Sequence, residues 1–347
     1  MTVRWAFIGA GRHAELWIAP ALEGAANAEP VGVWSRQADN AGAFAARHQI
    51  PKIYPTLEEA LADPNVDAVF ISTPNNLHAP HTLAALQAGK HVLCEKPMSV
   101  SVGEAREMVL TAREAGLQLG LGFHLRHHQL LVEARRRVAD GDVGAILYAT
   151  AQFNLTSSPP PRMSIPHAPW KRDPDSMGGA AALMGMGVHV IDVLRFLLGQ
   201  EIVSATALAL DYRPEQPLES FAQVMLEFDG GAQGHLVYGG RFPLSKNDIV
   251  LYGESGRIVA ESVVDVRTMG SLHVSVPDGP AGLRTDTHQP VLVDNYQREI
   301  EAFSAAIESG HPFRASGIDG LRSVEVQTAI IESQRTGRRV GVVRIDD

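Results

Sequence analysis

A glycine-rich turn near the amino terminus has the pattern that binds the pyrophosphate of a dinucleotide. Residues 9–14 read Gly-Ala-Gly-Arg-His-Ala, the pattern G-x-G-x-x-A, between a short apolar strand and a helix. The first glycine permits the tight turn, the second lets the backbone approach the phosphates, and the alanine lets helix and strand pack closely. The helix N-terminus then offers N–H groups and a positive dipole to the phosphates. The predicted cofactor contacts in this turn are Gly9, Gly11, Arg12 and His13.

The end of the second predicted strand indicates which dinucleotide binds. Sites that prefer NAD carry Asp or Glu there to bond the ribose 2′-hydroxyl, whereas an Arg accommodates the 2′-phosphate of NADP. This chain has Ser35 and Arg36 at that point and no carboxylate. A hydroxyl and a guanidinium can both donate to a phosphate, so we predict a preference for NADP(H). NAD remains possible if Arg36 is only a surface residue.

The elements that must position this turn alternate regularly through the first 122 residues. Short apolar runs predict strands, and the stretches between them predict helices. Thr56, followed by Glu58 and Glu59, has the features of an N-cap with an acidic first turn. Ser101, followed three residues later by Glu104, has the spacing of a capping box. This alternation is typical of a parallel sheet covered by helices on both faces. The predicted strands are Arg4–Ile8, Pro30–Trp34, Ala68–Ser72, His91–Cys94 and Gln118–Leu121, and the predicted helices are Ala14–Glu23, Asn40–Arg47, Thr56–Ala62, Leu77–Ala88 and Val102–Ala115.

The pattern changes after about residue 122. Two glycine pairs mark turns among alternating strand-like runs, which are typical of an antiparallel sheet. We predict an α/β fold class, with a dinucleotide-binding domain over 1–122 and an α+β domain over 123–347 that has a mainly antiparallel open sheet and a final helix able to return to the first domain. The supporting segments are a helix over Gln129–Asp140, a strand over Ile146–Phe153, a Pro-rich loop over Thr156–Ser176, helix-like sequence over Gly179–Leu198, strands from Ile202 to Val276, and helices near Val291–Ser309 and Ile318–Thr336.

Composition excludes several classes of function. The 347 residues carry 30 Lys and Arg against 39 Asp and Glu, which gives a formal net charge of −9. Binding to nucleic acid needs clustered basic residues, so we expect no nucleic-acid partner. Cys94 is the only cysteine, which excludes an intramolecular disulfide and fits a reducing compartment. We find no segment suited to span a bilayer or to act as a signal peptide, and we expect no membrane partner and a cytoplasmic location.

Three further segments agree in order and spacing with one known family. They read Ser-Thr-Pro-Asn-Asn-Leu-His at 72–78, Gly-Lys-His-Val-Leu-Cys-Glu-Lys-Pro at 89–97, and Gly-Gly at 178–179 followed by Gly-Val-His-Val-Ile-Asp at 187–192. With the glycine turn, they make the chain resemble the glucose–fructose oxidoreductase, inositol dehydrogenase and rhizopine-catabolism (Gfo/Idh/MocA) oxidoreductases over nearly its whole length. The resemblance implies an N-terminal Rossmann fold, and a homodimer or homotetramer formed through the open sheet of the second domain.

The resemblance also implies roles for the turns that end the strands, where doubly wound sheets bind their ligands. It implies that Glu95 lies near the nicotinamide and that Lys96 contacts substrate and cofactor. Burial beside a cofactor lowers the pKa of a lysine, which suits Lys96 to relay a proton. A shaped turn would allow a cis bond before Pro97. The other predicted cofactor contacts, for which a plain turn or a polar helix start is the alternative, are Thr73, Pro74, Asn75 and His78.

One segment departs from the family pattern. Dehydrogenases of this family commonly read D-x-x-x-H-x-x-D, whereas this chain has His189 and Asp192 but Gly185 in place of the first Asp. The pKa of an ordinary histidine lies near neutrality, so His189 is the predicted acid/base. The missing carboxylate favours a substrate with fewer hydroxyls than a polyol, and Asp192 is predicted to bond a substrate hydroxyl or to orient a side chain. The other predicted substrate contacts, with loop surface as the alternative, are His124, Arg126, Trp170 and Arg172.

These observations predict an oxidoreductase that transfers a hydride between nicotinamide C4 and the carbonyl or alcohol carbon of a sugar, a sugar derivative or a cyclic polyol. Lys96 would position the substrate oxygen and stabilise developing charge. One alternative is a dinucleotide-binding sensor without turnover, and another is a glycoside-cleaving relative that oxidises its substrate transiently. No metal is expected, because the possible ligands form isolated pairs. These pairs are His78 with His81, His124 with His127, and His189 with Asp192.

Overall fold

Short runs of Val, Ile, Phe and Leu form a five-stranded parallel sheet in the computed structural model. The structure describes residues 2–154, 169–213, 215, 217–240, 245–280 and 282–346. The strands are β1 (Val3–Ile8), β2 (Ala28–Trp34), β3 (Ala68–Ile71), β4 (His91–Cys94) and β5 (Leu119–Leu121). Their order in the sheet is β2-β1-β3-β4-β5. The winding therefore reverses between β1 and β3, which is where such sheets bind ligands.

The helices of this sheet begin and end at residues suited to those positions. The Thr56 hydroxyl accepts a hydrogen bond from the Glu59 N–H at 3.1 Å, and the Ser101 hydroxyl accepts one from the Glu104 N–H at 3.3 Å. Both N-caps were predicted from their side chains. The first helix opens with a π-helical turn over Ala14–Ile18. The helices are α1 (Ala19–Gly24), α2 (Ala38–Arg47), α3 (Leu57–Ala62), α4 (His78–Gln87) and α5 (Val102–Ala115).

In the second half of the fold, the described residues form a nine-stranded sheet, and among these strands only the pair β6–β9 is parallel. The predicted mainly antiparallel sheet is therefore confirmed. One face is buried and the other is open, as the alternation along β8 shows: Val224 and Leu226 are buried, whereas Met225 is exposed. The order is β13-β12-β11-β10-β6-β9-β8-β7-β14. The strands are β6 (Ile146–Asn154), β7 (Ile202–Leu210), β8 (Phe221–Phe228), β9 (Gln233–Gly239), β10 (Ile249–Gly253), β11 (Gly256–Glu261), β12 (Ser271–Asp278), β13 (Gly282–His288) and β14 (Val340–Gly341), and the helices are α6 (Gln129–Ala139), α7 (Pro174–Met177), α8 (Val188–Leu198), α9 (Asn295–Ser309) and α10 (Gly317–Thr336).

The chain forms two compact units whose boundaries differ from the predicted 123–347 domain. The first unit contains Met1–His124, Val293–Val324 and Ile345–Asp347, and the second contains Leu125–Leu292 and Glu325–Arg344. Helix α9 joins the first unit because it packs on the first sheet. The Trp5 and Phe303 ring centroids lie 5.5 Å apart, and the Trp5 indole donates to the Ser304 hydroxyl at 3.2 Å. A helical pattern alone does not reveal which sheet a helix covers.

The predicted loop over Thr156–Ser176 lies partly outside the described residues. Its described end forms a 3-10 turn over Pro169–Arg172 and the short helix α7. The Asp173 carboxylate caps α7 by accepting a hydrogen bond from the Ser176 N–H. Within the described ranges, no helix combines the length and apolar character needed to cross a bilayer.

Candidate active site

The glycine turn is held tightly against the end of β3. The Gly9 φ is +107°, and a Cβ on that residue would lie 2.6 Å from the Ser72 carbonyl oxygen. The Gly9 N–H donates to the Trp34 carbonyl at 2.8 Å, so the ends of β1, β2 and β3 meet at one edge. A Cβ on Gly11 would make only an ordinary contact with Ser72, at 3.6 Å. Packing therefore explains the first glycine, while the second fits a close approach by phosphates.

Trp34 and His81 lie beside Ser35 and Arg36 at the end of β2. The Trp34 and His81 ring centroids are 5.6 Å apart, and the His81 Nδ1 lies 3.1 Å from the Thr73 hydroxyl. Burial, with smaller contributions from His78 and Arg36, lowers the pKa of His81 to about 4. His81 is therefore neutral at neutral pH and adds no charge near Arg36. The sequence did not identify His81 as part of this end of the site.

His78 joins the two turns that follow β3 and β4. Its Nδ1 lies 2.7 Å from the Pro97 carbonyl oxygen and its Nε2 lies 2.9 Å from the Thr73 carbonyl oxygen. The ring is fully buried, and this burial lowers its pKa. Both ring nitrogens thus contact the backbone, which favours a supporting role for His78 over the predicted contact with the cofactor. Asn75, in the same turn, is buried.

The Glu95 carboxylate is enclosed on several sides at the end of β4. Its Oε1 lies 2.8 Å from His13 Nε2, and its Oε2 accepts a hydrogen bond from the Lys96 N–H at 3.2 Å. A Cβ on Gly122, just past β5, would lie 3.0 Å from Oε1. Burial opposes ionisation, but His13, Lys96 and His78 outweigh it and bring the pKa of Glu95 to about 2. Glu95 is therefore an ionised carboxylate, and the peptide bond before Pro97 is cis.

A cluster of rings extends from His13 to the start of α9. The ring of Tyr296 lies 5.5 Å from His13, 4.5 Å from His124 and 6.1 Å from Trp17, measured between centroids. The stacking on His124 places this predicted substrate contact in the first unit, beside the glycine turn. Sequence reasoning missed Tyr296 because it is 283 residues from His13 and belongs to no motif that we recognised.

His189 lies on α8, directly after a π-helical turn over Leu183–Gly187. The His189 side chain is buried, and its ring packs against the edge of Phe153 at 5.5 Å. A Cβ on Gly185 would meet no heavy atom within 4 Å, whereas one on Gly187 would collide with the Tyr238 ring. Gly187 is therefore required by packing, and Gly185 is not.

Arg126 and Asp192 form a buried ion pair in the second unit. Arg126 Nη2 lies 2.7 Å from Asp192 Oδ1, and its Nε lies 3.0 Å from Oδ2. Arg195 also approaches Asp192, at 3.8 Å. The sequence predicted both Arg126 and Asp192 as substrate contacts. The structure brings them together as partners of each other, which favours the other predicted role of Asp192, to orient a side chain.

Trp170 and Arg172 lie on the 3-10 turn that precedes α7. Trp170 is half-buried against the core of the second unit, and Lys171 Nζ lies 5.6 Å from the centre of its ring. Arg172 is exposed. Their contact with a substrate stays a prediction. Among the described residues, no group of three or more His, Cys, Asp or Glu side chains could hold a metal ion.

Glu219 is a buried carboxylate that the sequence did not single out. It accepts hydrogen bonds from the Ala181 N–H at 2.8 Å and the Leu183 N–H at 2.7 Å. These contacts cap the start of the helical segment that leads to His189. Burial raises the pKa of Glu219 to about 7, although the backbone N–H groups favour its ionised form.

We expect Glu219→Gln to change how the free energy of unfolding depends on pH. A carboxyl group whose pKa is raised by folding adds stability at low pH, and this contribution is lost as pH rises through the folded pKa. Between about pH 5 and pH 8, the free energy of unfolding of the wild type should therefore fall by up to about 3 kcal/mol relative to that of the variant. Urea unfolding across this range measures the difference. The control is Glu227→Gln, on the more exposed β8 carboxylate, and equal pH profiles for wild type and Glu219→Gln would contradict the expectation.

The fold and the glycine turn define a class, the oxidoreductases with an NAD-binding Rossmann fold. The model of that oxidoreductase family matches residues 3–123, and the model of the GFO/IDH/MocA C-terminal domain matches residues 131–259. The chain belongs to the GFO/IDH/MocA family. The resemblance found in the sequence is thereby confirmed, together with NAD(P)-dependent oxidoreductase activity as the function of the family.

Relatives with named activities cover nearly the whole chain. A 1,5-anhydro-D-fructose reductase from Ensifer adhaerens is 32% identical over 338 residues, covering 96% of this chain and 97% of the relative. A D-xylose 1-dehydrogenase (NADP(+)) from Haloferax volcanii is 30% identical, covering 93% and 94%. The crystal structure of a 3-ketoreductase from Actinomadura kijaniata, in complex with TDP-benzene and NADP, is 26% identical with a TM-score of 0.77, covering 97% and 98%.

Proposed function

We propose that this NAD(P)-dependent oxidoreductase prefers NADP(H), and that Lys96 and His189 assist hydride transfer to or from a sugar, a sugar derivative or a cyclic polyol. The observation that carries the proposal is that three turns meet at one edge of the parallel sheet, where its winding reverses. The turn at Gly9 packs against Ser72, and His78 connects the backbone of Thr73 to that of Pro97. Ligands of doubly wound sheets bind at this point. The reductase and dehydrogenase activities of the relatives support the substrate class.

Two side chains of this protein would act on the substrate oxygen, one on its negative charge and one on its proton. When bound, the nicotinamide supplies or accepts the hydride at C4. Lys96 would hold the substrate oxygen and stabilise the negative charge that develops on it. His189 would give that oxygen a proton during reduction and take it back during oxidation.

The preference for NADP(H) rests on charge at the end of β2. Ser35 and Arg36 directly follow Trp34 at the end of the strand, in the place where a carboxylate would favour NAD. The neutral His81 lies close by. A hydroxyl and a guanidinium can donate to a 2′-phosphate, whereas a carboxylate would repel it. Two comparisons support the choice, because NADP(+) is in the name of the xylose dehydrogenase and NADP is bound in the ketoreductase structure.

A steady-state screen tests the proposed reaction. Sugars, sugar derivatives and cyclic polyols are offered with NADP+, and the corresponding carbonyl compounds with NADPH. We expect turnover on at least one of them. Stoichiometric cofactor binding with no turnover would contradict the proposal and favour the sensor, and release of an aglycone without net cofactor consumption would favour glycoside cleavage.

The space around Gly185 allows a test of substrate preference by substitution. A side chain there meets open space, so we expect Gly185→Asp to fold and to change the free energy of unfolding by no more than about 1 kcal/mol. The new carboxylate should raise kcat/KM for polyols relative to less hydroxylated substrates by about tenfold, the value of one hydrogen bond to a charged group. Gly185→Asn is the control for size without charge. An unchanged preference in Gly185→Asp would contradict the role given to this position.

The open face of the nine-stranded sheet is the proposed contact between copies of the chain. Leu208, Met225 and Tyr252 project from this face with 72%, 49% and 43% of their surface exposed. Exposed apolar residues on a regular face are typical of a subunit interface. We expect light scattering to show a dimer or tetramer for the wild type and a monomer for the double variant Leu208→Arg, Met225→Arg. Val343→Arg, at another exposed apolar residue, should leave the assembly unchanged, and a monomeric wild type would contradict the proposal.

A further inference from the structure

The pair formed by Glu95 and His13 links the phosphate-binding turn to the end of β4. The Glu95 side chain is 8% exposed, and that of His13 is 32% exposed. The carboxylate charge is therefore poorly screened by water. The ring of His13 also contacts the ring of Tyr296. The imidazole is thus the group in direct contact with the Glu95 carboxylate from the phosphate-binding turn.

The strand order puts Glu95 on the side of the sheet where the nicotinamide half of a dinucleotide would lie. The glycine turn follows β1, and the residues suited to the adenosine ribose follow β2, on one side of the reversal of winding. In a doubly wound sheet the other half of a dinucleotide crosses to the opposite side, which here carries β3, β4 and β5. Glu95 follows β4, and its carboxylate lies beside Gly122, just after β5.

We propose that the Glu95 carboxylate makes the site favour the oxidised dinucleotide over the reduced one, and that the contact of His13 with this carboxylate weakens the preference. The oxidised nicotinamide ring carries a positive charge and the reduced ring is neutral, so a fixed negative charge nearby attracts only the oxidised form. The pyrophosphate is the same in both forms. Any effect of His13 on the phosphates therefore cancels in the ratio of the two dissociation constants. The inference rests on the dinucleotide site proposed above.

Several other titratable groups face this pair. Lys96 and His78 act on Glu95 from the same sheet edge. Tyr296 contacts His13 from α9, and the ring of His124 stacks on that of Tyr296. None of them is changed by a substitution at His13 or Glu95 alone, so variants at these two positions test the pair itself.

Calorimetric titration with NADP+ and with NADPH tests the inference without turnover. In Glu95→Gln the carboxylate charge is lost, and we expect the ratio of the NADP+ to the NADPH dissociation constant to rise by about tenfold. In His13→Gln the imidazole that contacts the carboxylate is lost, and we expect the ratio to be lower than in the wild type.

The opposite signs of the two substitutions distinguish a charge effect from damage to the site. General damage would weaken both forms and leave the ratio unchanged. His48→Gln is the matched control, because His48 pairs with the carboxylates of Glu23 and Glu15 on the same unit and its loss should not change the ratio. If both forms bind but the ratio is unchanged in Glu95→Gln, or if it does not fall in His13→Gln, this inference is wrong. If neither form binds the wild type, the proposed function itself fails.

Discussion

Lys96→Ala is expected to lower kcat by about 10³-fold while NADPH still binds. The ammonium group is the one that would hold the substrate oxygen and stabilise its charge, and removal of such a group costs roughly 10²–10⁴-fold in rate. The backbone of the turn would remain, because the Lys96 N–H and the Pro97 carbonyl make contacts that the side chain does not supply. Steady-state rates on a substrate from the screen, with calorimetric binding of NADPH, measure the two effects separately.

Two further variants show what Lys96 contributes. Lys96→Arg keeps the positive charge but cannot release a proton at accessible pH, so partial recovery of rate would indicate charge stabilisation and no recovery would indicate proton relay. Lys52→Ala is the control, because Lys52 is an exposed lysine paired with Asp63 in the same unit. Normal turnover in Lys96→Ala would show that the reaction does not depend on this lysine.

Ser35→Asp is expected to reverse the cofactor preference. The new carboxylate would repel the 2′-phosphate of NADPH and could accept a hydrogen bond from the 2′-hydroxyl of NADH. We expect the dissociation constant of NADPH to rise by at least about tenfold and that of NADH to fall. The binding free energy of NADPH relative to that of NADH should therefore change by more than about 1.4 kcal/mol. Fluorescence titration with each reduced cofactor measures both constants.

The matched variant is Ser35→Ala, which removes the hydroxyl without adding a charge. It should weaken NADPH only slightly and leave NADH unaffected. A wild type that binds NADH more tightly than NADPH would overturn the role given to Ser35 and Arg36. So would a Ser35→Asp variant that still prefers NADPH.

The parts of the fold and of the site that depend on local sequence were predictable. The glycine turn, the caps at Thr56 and Ser101, and the cis bond before Pro97 each follow from the side chains or backbone of a few neighbouring residues. Strand–helix alternation likewise predicted the parallel sheet, because each element carries its own apolar pattern.

The parts that depend on distant residues were not predictable. Asp192 has the position of a substrate contact in its segment, but Arg126, 66 residues away, lies against its carboxylate. Glu219 caps a segment 36 residues before it, and no motif connects the two. The same reason explains why the sequence pattern grouped α9 with the second half of the chain, since its contacts with Trp5 cross almost the whole chain. Motifs identify which residue types are present, whereas packing decides which of them become partners.

Transfer of a labelled hydride tests the central claim most directly. NADPH carrying deuterium at C4 is incubated with the protein and carbonyl compounds of the sugar class, and the products are examined by mass spectrometry and NMR. We predict one deuterium on the carbon that was the carbonyl carbon, formed much more slowly by Lys96→Ala and His189→Ala. Tight binding of NADPH with no label transferred to any member of the class would contradict the assignment as an oxidoreductase of sugars and polyols.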